Sequence, residues 1–130
     1  MAKIVKKYVI KVPASKVWAA LTRPSIIVKW GGGPANMSSR EGAEFKLWGG
    51  EIYGENTQVV TEKRLVQNWY GGDWEEPSIV TINIKALKTQ TNIELIHSNV
   101  PKDELKSFKT GWDDYYFGPM TQYLESKYSF

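Results

Sequence analysis

The single histidine of this chain, His97, ends the alternating segment Thr91-Asn92-Ile93-Glu94-Leu95-Ile96-His97 and is the first residue to examine for chemistry. As a general base it would need an oriented partner and a nucleophile within hydrogen-bond reach. The sequence holds no Gly-x-Ser-x-Gly elbow and no cysteine to serve as that nucleophile. As a metal ligand it lacks companions at any recognisable spacing. It reads instead as a satisfied structural histidine, or as a polar handle in a mostly apolar cavity.

The remaining chemistry-bearing groups have equally plain readings. Asp113 and Asp114 are adjacent on an expected helix, so they point about a hundred degrees apart and cannot act on one atom. Early in that helix they complement its dipole. Gly31-Gly32-Gly33 follows a helix and lacks the Gly-Lys-Ser/Thr ending of a phosphate loop. Asn36-Met37-Ser38 matches a glycosylation sequon, without a secretory signal to make it one. Asp73, Glu75 and Glu76 crowd Trp74 beside Pro77. That cluster is either a solvated loop or an exposed partner-contact tip, and the sequence leaves both open.

The elements that must position these groups follow from periodicity. Ile4, Tyr8, Ile10 and Val12 share one face of a first strand. Pro13-Ala14-Ser15 stops it, and Ser15 is placed to cap a short helix carrying Val17, Trp18 and Leu21. Pro24 opens a second short helix through Trp30, which Gly31-Gly32-Gly33-Pro34 ends in a loop. Period two then takes over, at Phe45 and Leu47, from Ile52 to Val60, from Arg64 to Tyr70, at Val80, Ile82 and Ile84, and at Ile93, Leu95 and His97. The last helix is expected from about Phe108 to Ser126, with Trp112, Tyr115, Tyr116, Met120, Tyr123 and Leu124 as its apolar stripe. Pro119 inside it predicts a kink.

Composition narrows the class. The 130 residues suit one domain, and six Trp, seven Tyr and four Phe supply large apolar surfaces for its interior. Seventeen basic residues against 14 acidic ones give a net charge of +3. The lysines are dispersed, which argues against a nucleic-acid footprint. Zero cysteines exclude disulfides and thiolate metal sites. The N-terminal Met1-Ala2-Lys3-Ile4-Val5-Lys6-Lys7 has no signal-peptide core, and no segment reaches the ~20 apolar residues of a membrane span. A cytoplasmic chain with no cofactor and no membrane contact is expected.

Several segments carry a resemblance in order along nearly the whole chain. They are Val17-Trp18-Ala19-Ala20-Leu21-Thr22, Trp30, Phe45-Lys46-Leu47, Gly50-Glu51-Ile52-Tyr53-Gly54-Glu55, Leu65-Val66-Gln67-Asn68-Trp69, Val80-Thr81-Ile82, and Gly111-Trp112 through Tyr115-Tyr116-Phe117. Together they resemble the activators of the ninety-kilodalton heat-shock protein's ATPase, in their C-terminal domain, within the START-like superfamily. The resemblance implies an α+β helix-grip fold over residues 1–130: a curved antiparallel sheet of about six or seven strands wrapped around a long C-terminal helix, with two short helices after strand one. The two-domain activators carry a further N-terminal domain, and this chain begins at the first strand of the C-terminal one. Ligand or partner binding is therefore expected of it more than full ATPase activation.

In a helix-grip fold Trp30, Phe45, Trp69, Trp112 and Tyr116 surround the space between sheet and helix, together with Ile82. Tyr53, Gln67 and His97 are expected to add polar groups there, the face of Tyr53 depending on a bulge near Val59-Val60. The first reading is a non-enzymatic protein holding an apolar or aromatic small molecule, with access gated by the Gly31–Pro34 loop and the kinked helix. The alternative is a co-chaperone-like interaction module, its interior filled by its own aromatics and Trp74 at a contact. A cyclase or hydrolase type of enzyme is the third, for which no acid, base and nucleophile set assembles. Either a monomer or a weak dimer paired through sheet edges fits the sequence.

Overall fold

The computed structural model describes Ala2 to Tyr128. Six strands, β1 Ala2–Ile10, β2 Glu44–Leu47, β3 Ile52–Val60, β4 Arg64–Gly71, β5 Ser78–Ala86 and β6 Thr91–Val100, form one antiparallel sheet in the order β1-β6-β5-β4-β3-β2. Strict alternation fixes the faces of β4, β5 and β6. Leu65, Gln67 and Trp69, then Val80, Ile82 and Ile84, then Ile93, Leu95 and His97, all turn inward and are buried. Cross-strand pairing sets Val80 opposite His97 and Tyr8 opposite Ile93, so β1 closes beside β6.

β3 departs from simple pairing at Thr57, an extra residue between Asn56, opposite Gln67, and Gln58, opposite Val66. This bulge lies before the Val59-Val60 position expected from the sequence and downstream of Tyr53. The alternation through Ile52 and Gly54 therefore decides which way Tyr53 points.

After β1 come α1 (Ala14–Thr22) and α2 (Pro24–Trp30), which contact each other, with α1 also against β5. Ser15 does not cap α1. Pro13 holds the N-cap position, and its carbonyl accepts from the Lys16 N–H at 3.0 Å. Pro24 starts α2 as expected, and Gly31 ends it in the left-handed conformation (φ 106°) that glycine adopts most readily.

The C-terminal helical run is longer and less uniform than its periodicity predicts. A 3₁₀ turn at Lys102–Glu104 leads into α3 (Leu105–Gly111), a π-helical turn over Trp112–Phe117, and α4 (Gly118–Tyr128). The π turn lies immediately before Pro119, which has no N–H to continue the α ladder. The Gly118 N–H instead donates to the Asp113 carbonyl, five residues back. A Cβ on Gly118 would lie 2.1 Å from that oxygen, so only glycine fits. The expected proline kink is realised as this wider turn. Below it, Phe117, Met120 and Leu124 join Ile4, Ile10, Val17, Leu21, Ile27, Ile82 and Leu95 in one continuous core.

Candidate functional site

The π turn aims Trp112 at the sheet, where its indole N–H donates to His97 Nδ1 at 3.0 Å. An indole nitrogen can only donate, so Nδ1 is unprotonated and the ring proton sits on Nε2. Nε2 then donates to Ser78 Oγ at 2.8 Å, and Ser78 passes its own proton toward the Trp69 carbonyl at 3.3 Å. Trp69 continues the chain by donating from its indole to Gln67 Oε1 at 2.8 Å. Gln67 Nε2 donates to Asn56 Oδ1 at 2.9 Å and touches Met37 Sδ at 3.5 Å. Asn56 Nδ2 finishes on the carbonyls of Ser38 and Arg40. A line of hydrogen bonds thus runs from the C-terminal helix through β6, β5, β4 and β3 to the loop before β2. Among the described residues, no buried side-chain nitrogen or oxygen lacks a partner.

The His97–Ser78 pair has the separation of a base and nucleophile but the opposite polarity. With Nδ1 accepting from Trp112, His97 gives a proton to Ser78 and cannot take one from it. Burial lowers the imidazole pKa to about 4, so the ring is neutral at physiological pH. Ser78 was not among the sequence candidates. Its one signal was register: it shares the inward face of β5 with Val80, which pairs with His97.

The expected aromatic set does converge, on itself. Ring centroids of Trp69 and Trp112 lie 4.9 Å apart, Trp112 and Tyr116 4.8 Å, Trp30 and Tyr116 4.9 Å, and Phe45 and Trp69 6.3 Å. Trp30 also donates to the Ala20 carbonyl at 2.9 Å, and Ile82 is fully enclosed. These rings occupy the space between sheet and helix that the ligand reading reserved for a small molecule. Burial raises the Tyr116 phenol pKa well above its usual value. The Gly31–Pro34 loop is tied down. Trp48 gives its indole N–H to the Gly31 carbonyl at 3.0 Å and its backbone N–H to the Gly32 carbonyl at 2.8 Å, and Gly49 N–H reaches the Pro34 carbonyl at 2.9 Å.

Two expected residues lie elsewhere. Tyr53 sits on the opposite face of the sheet, stacked on Tyr70 at 5.4 Å, with its hydroxyl donating to the Gly72 carbonyl at 2.8 Å. The inward position beside it belongs to Gly54, whose Cβ would collide with the Asn68 carbonyl at 1.8 Å. Trp74 is not a free tip. It is half-buried, edge-on to Phe108 at 5.8 Å and beneath the backbone of Gly71.

Asp113 also needs correction. It lies well inside the helical run, where it clasps β1 rather than complementing a first turn. Lys6 Nζ and the Tyr8 hydroxyl each donate to its carboxylate at 2.7 Å, and Tyr8 stacks on Phe117 at 4.4 Å. The Lys6 bond, then the Tyr8 bond, hold the Asp113 carboxyl below the usual range, while burial first and Asp113 second drive the Tyr8 phenol upward.

Open clefts flank the packed interior. One of about 450 Å³ lies along β2 and β3, lined by Glu44, Lys46, Tyr53, Glu55 and Tyr70 among others. Another, of about 400 Å³, opens where the β2–β3 and β4–β5 connections meet the start of the C-terminal helix. Its lining includes Trp48, Glu51, Asp73, Trp74, Glu104 and Phe108. Among the described residues, no helix is long and apolar enough to cross a membrane.

The family described as Activator of Hsp90 ATPase homolog 1-like protein matches residues 11–125. The human activator of 90 kDa heat shock protein ATPase homolog 1 is 25% identical over 122 residues, covering 92% of this chain and 36% of the relative. The chain therefore spans about a third of the length of the curated relatives it matches. Among solved structures, an HSP90 activator from Plasmodium falciparum superposes with a TM-score of 0.83 at 25% identity, over 97% of this chain and 95% of that one. A protein from Mesorhizobium loti superposes equally well, with a TM-score of 0.83 at 25% identity over 97% and 98% of the two chains. An antiparallel six-stranded sheet, two short helices after β1 and a long C-terminal helix are the helix-grip fold of these relatives, and the chain belongs to the Activator of Hsp90 ATPase homolog 1-like family.

Proposed function

We propose that this chain is a non-enzymatic interaction module, one START-like domain over residues 1–130, that binds a ninety-kilodalton heat-shock chaperone in the cytoplasm through its surface. One observation carries the reading: the interior is filled by rings in mutual contact and by a hydrogen-bond line with no free end. A domain whose central rings contact one another has its surface to work with, and the relatives named as chaperone activators supply the partner class. The same packing weighs against the apolar-ligand reading of Trp30, Phe45, Gln67, Trp69, Ile82, His97, Trp112 and Tyr116. The polarity of His97 and Ser78 weighs against hydrolase chemistry.

Titration of the purified chain into the Hsp90 of its own organism, followed by calorimetry and by ATP turnover, tests the proposal. Micromolar binding is expected, a usual strength for a transient interface. Binding without faster turnover keeps the interaction module and removes activation by this chain alone. Absence of binding overturns the proposal. A small molecule retained in native mass spectrometry and lost on denaturation would restore the ligand reading, and the same spectrum separates monomer from weak dimer.

A further inference from the structure

We infer that the cleft between Trp48, Trp74 and Phe108 is a docking site for a basic segment of a protein partner, taking a lysine or arginine side chain. The inference rests on the interaction-module reading and names the chemistry of one contact within it.

The cleft holds about 400 Å³, enough to enclose the end of a long side chain. Its floor is aromatic. Trp48, Trp74 and Phe108 are each only partly buried, and Ile52 closes the bottom. Three carboxylates, those of Glu51, Asp73 and Glu104, share the same lining, and no lysine, arginine or histidine does. This is unusual on a chain of net charge +3. It contrasts with the groove along β2 and β3, where Lys46 stands among Glu44 and Glu55. Among the described residues the one ion pair is Lys6–Asp113, and none of the three accepts a side-chain hydrogen bond from this chain.

Aromatic faces attract a cation through their quadrupole, and Trp does so best. Carboxylates at the rim supply the opposite charge and set which partner approaches. A neutral apolar ligand would leave three unpaired carboxylates beside it, and an acidic one would be repelled. An arginine satisfies both halves, stacking its guanidinium on an indole while its N–H groups reach the rim. At physiological salt, fields are screened beyond ~8 Å, so this local lining outweighs the positive charge of the whole surface.

The test uses the whole chain with uniformly ¹⁵N-labelled tryptophan side chains, titrated with an alternating Arg-Gly peptide, a matched Glu-Gly peptide and tetramethylammonium. Only the arginine peptide is expected to move the indole signals of Trp48 and Trp74, with an affinity that falls as salt is added. The neutral variant E51Q/D73N/E104Q alters only surface carboxylates without internal partners. It is expected to bind that peptide at least about tenfold more weakly, as losing several rim charges would require. Unmoved Trp48 and Trp74 signals, equal binding by the neutral variant, or equal binding of the glutamate peptide would overturn the inference. Preference for tetramethylammonium over the peptide would overturn the commitment to a protein segment. The chaperone titration separates the two readings. If wild type and neutral variant bind Hsp90 equally, the cleft inference fails and the interaction module stands. If the arginine peptide binds at the cleft while Hsp90 does not bind at all, the chaperone assignment fails and the cleft stands.

Discussion

Acidification to below pH 6 should destabilise this protein by an amount set by one residue. His97 is completely enclosed, and burial lowers its pKa from 6.5 to about 4. The unfolded chain therefore binds a proton at this position between about pH 6.5 and pH 4, and the folded chain does not. Stability rises with pH wherever the unfolded state holds more protons, so the His97 contribution is fully present above pH 6.5. It is lost as pH falls through that window and is gone below about pH 4. A depression of about 2.5 pKa units, at 1.36 kcal/mol each, makes the loss roughly 3 kcal/mol. That is a large fraction of the 5–15 kcal/mol typical of a folded domain.

The Asp113 carboxyl, held below its usual range by Lys6 and Tyr8, adds a loss of its own at still lower pH, so a single curve carried into acid would mix causes. Substitution of His97 by Gln separates them. A glutamine can accept from Trp112 through its oxygen and donate to Ser78 through its nitrogen, and it does not titrate. Urea unfolding of both proteins at several pH values between 7.5 and 4 gives the difference in stability at each. H97Q is expected to lose less on acidification than wild type, with the gap changing by roughly 3 kcal/mol across the window. The chain has one histidine, so its imidazole proton resonances report the native pKa without assignment. Parallel pH profiles, or a native titration near 6.5, would refute the burial argument.

Trp112→Phe keeps most of the ring but leaves His97 Nδ1 a buried acceptor without a donor, which should cost ~1–3 kcal/mol in urea unfolding, against ~3–5 kcal/mol for Trp112→Ala. A loss below that range for the Phe variant would mean that the hydrogen bond contributes little. Gly118→Ala should destabilise by more than ~1 kcal/mol, although the same change in an ordinary helix interior gains about that much, because the new Cβ meets the Asp113 carbonyl at 2.1 Å. A neutral or stabilising result in thermal melts would mean that the π turn relaxes to an α turn at little cost. Asp113→Asn should lose only ~0.5–1 kcal/mol, since that carboxylate is half exposed, and the difference from wild type should shrink in about 1 M salt, where screening acts within ~3 Å.

The sheet was legible because its two faces differ chemically. Val80, Ile82 and Ile84 alternate with Thr81, Asn83 and Lys85, and only one assignment buries the apolar set. Pro24 and Gly31 marked both ends of α2 by backbone preference alone. The eight interior residues were legible as a group for the same reason: they are large and inward-facing. Tyr53 was not, since one polar aromatic fits either face and the choice depended on a bulge whose position hydrophobicity does not report. Ser78 and Asn56 were missed because a small polar residue gains a role only once cross-strand register places it beside His97 or Gln67. Trp74 looked exposed among acids because its cover, Phe108, comes from an element more than 30 residues later in the chain.

The helix illustrates a different limit. At α-helical spacing Trp112, Tyr115, Tyr116 and Met120 form one stripe, and Phe117 falls beside it. In the structure Tyr115 is 67% exposed and Phe117 is fully enclosed. Phe117 shares its face with Met120 and Leu124, three and seven residues on, and Tyr115 is the residue left outside. The arrangement is chemically consistent: Phe117 needs no hydrogen-bond partner where it stacks on Tyr8, whereas a buried Tyr115 would need one. Asp113 then lies within reach of Lys6 and Tyr8, which ties the turn to β1. Gly118 and Pro119 are thus the sequence origin of this turn, one by admitting the Asp113 carbonyl and the other by withholding a donor. The rings of Trp112, Tyr116 and Phe117 meet one another across this turn, so their packing depends on a local backbone geometry that no count of aromatic residues would reveal.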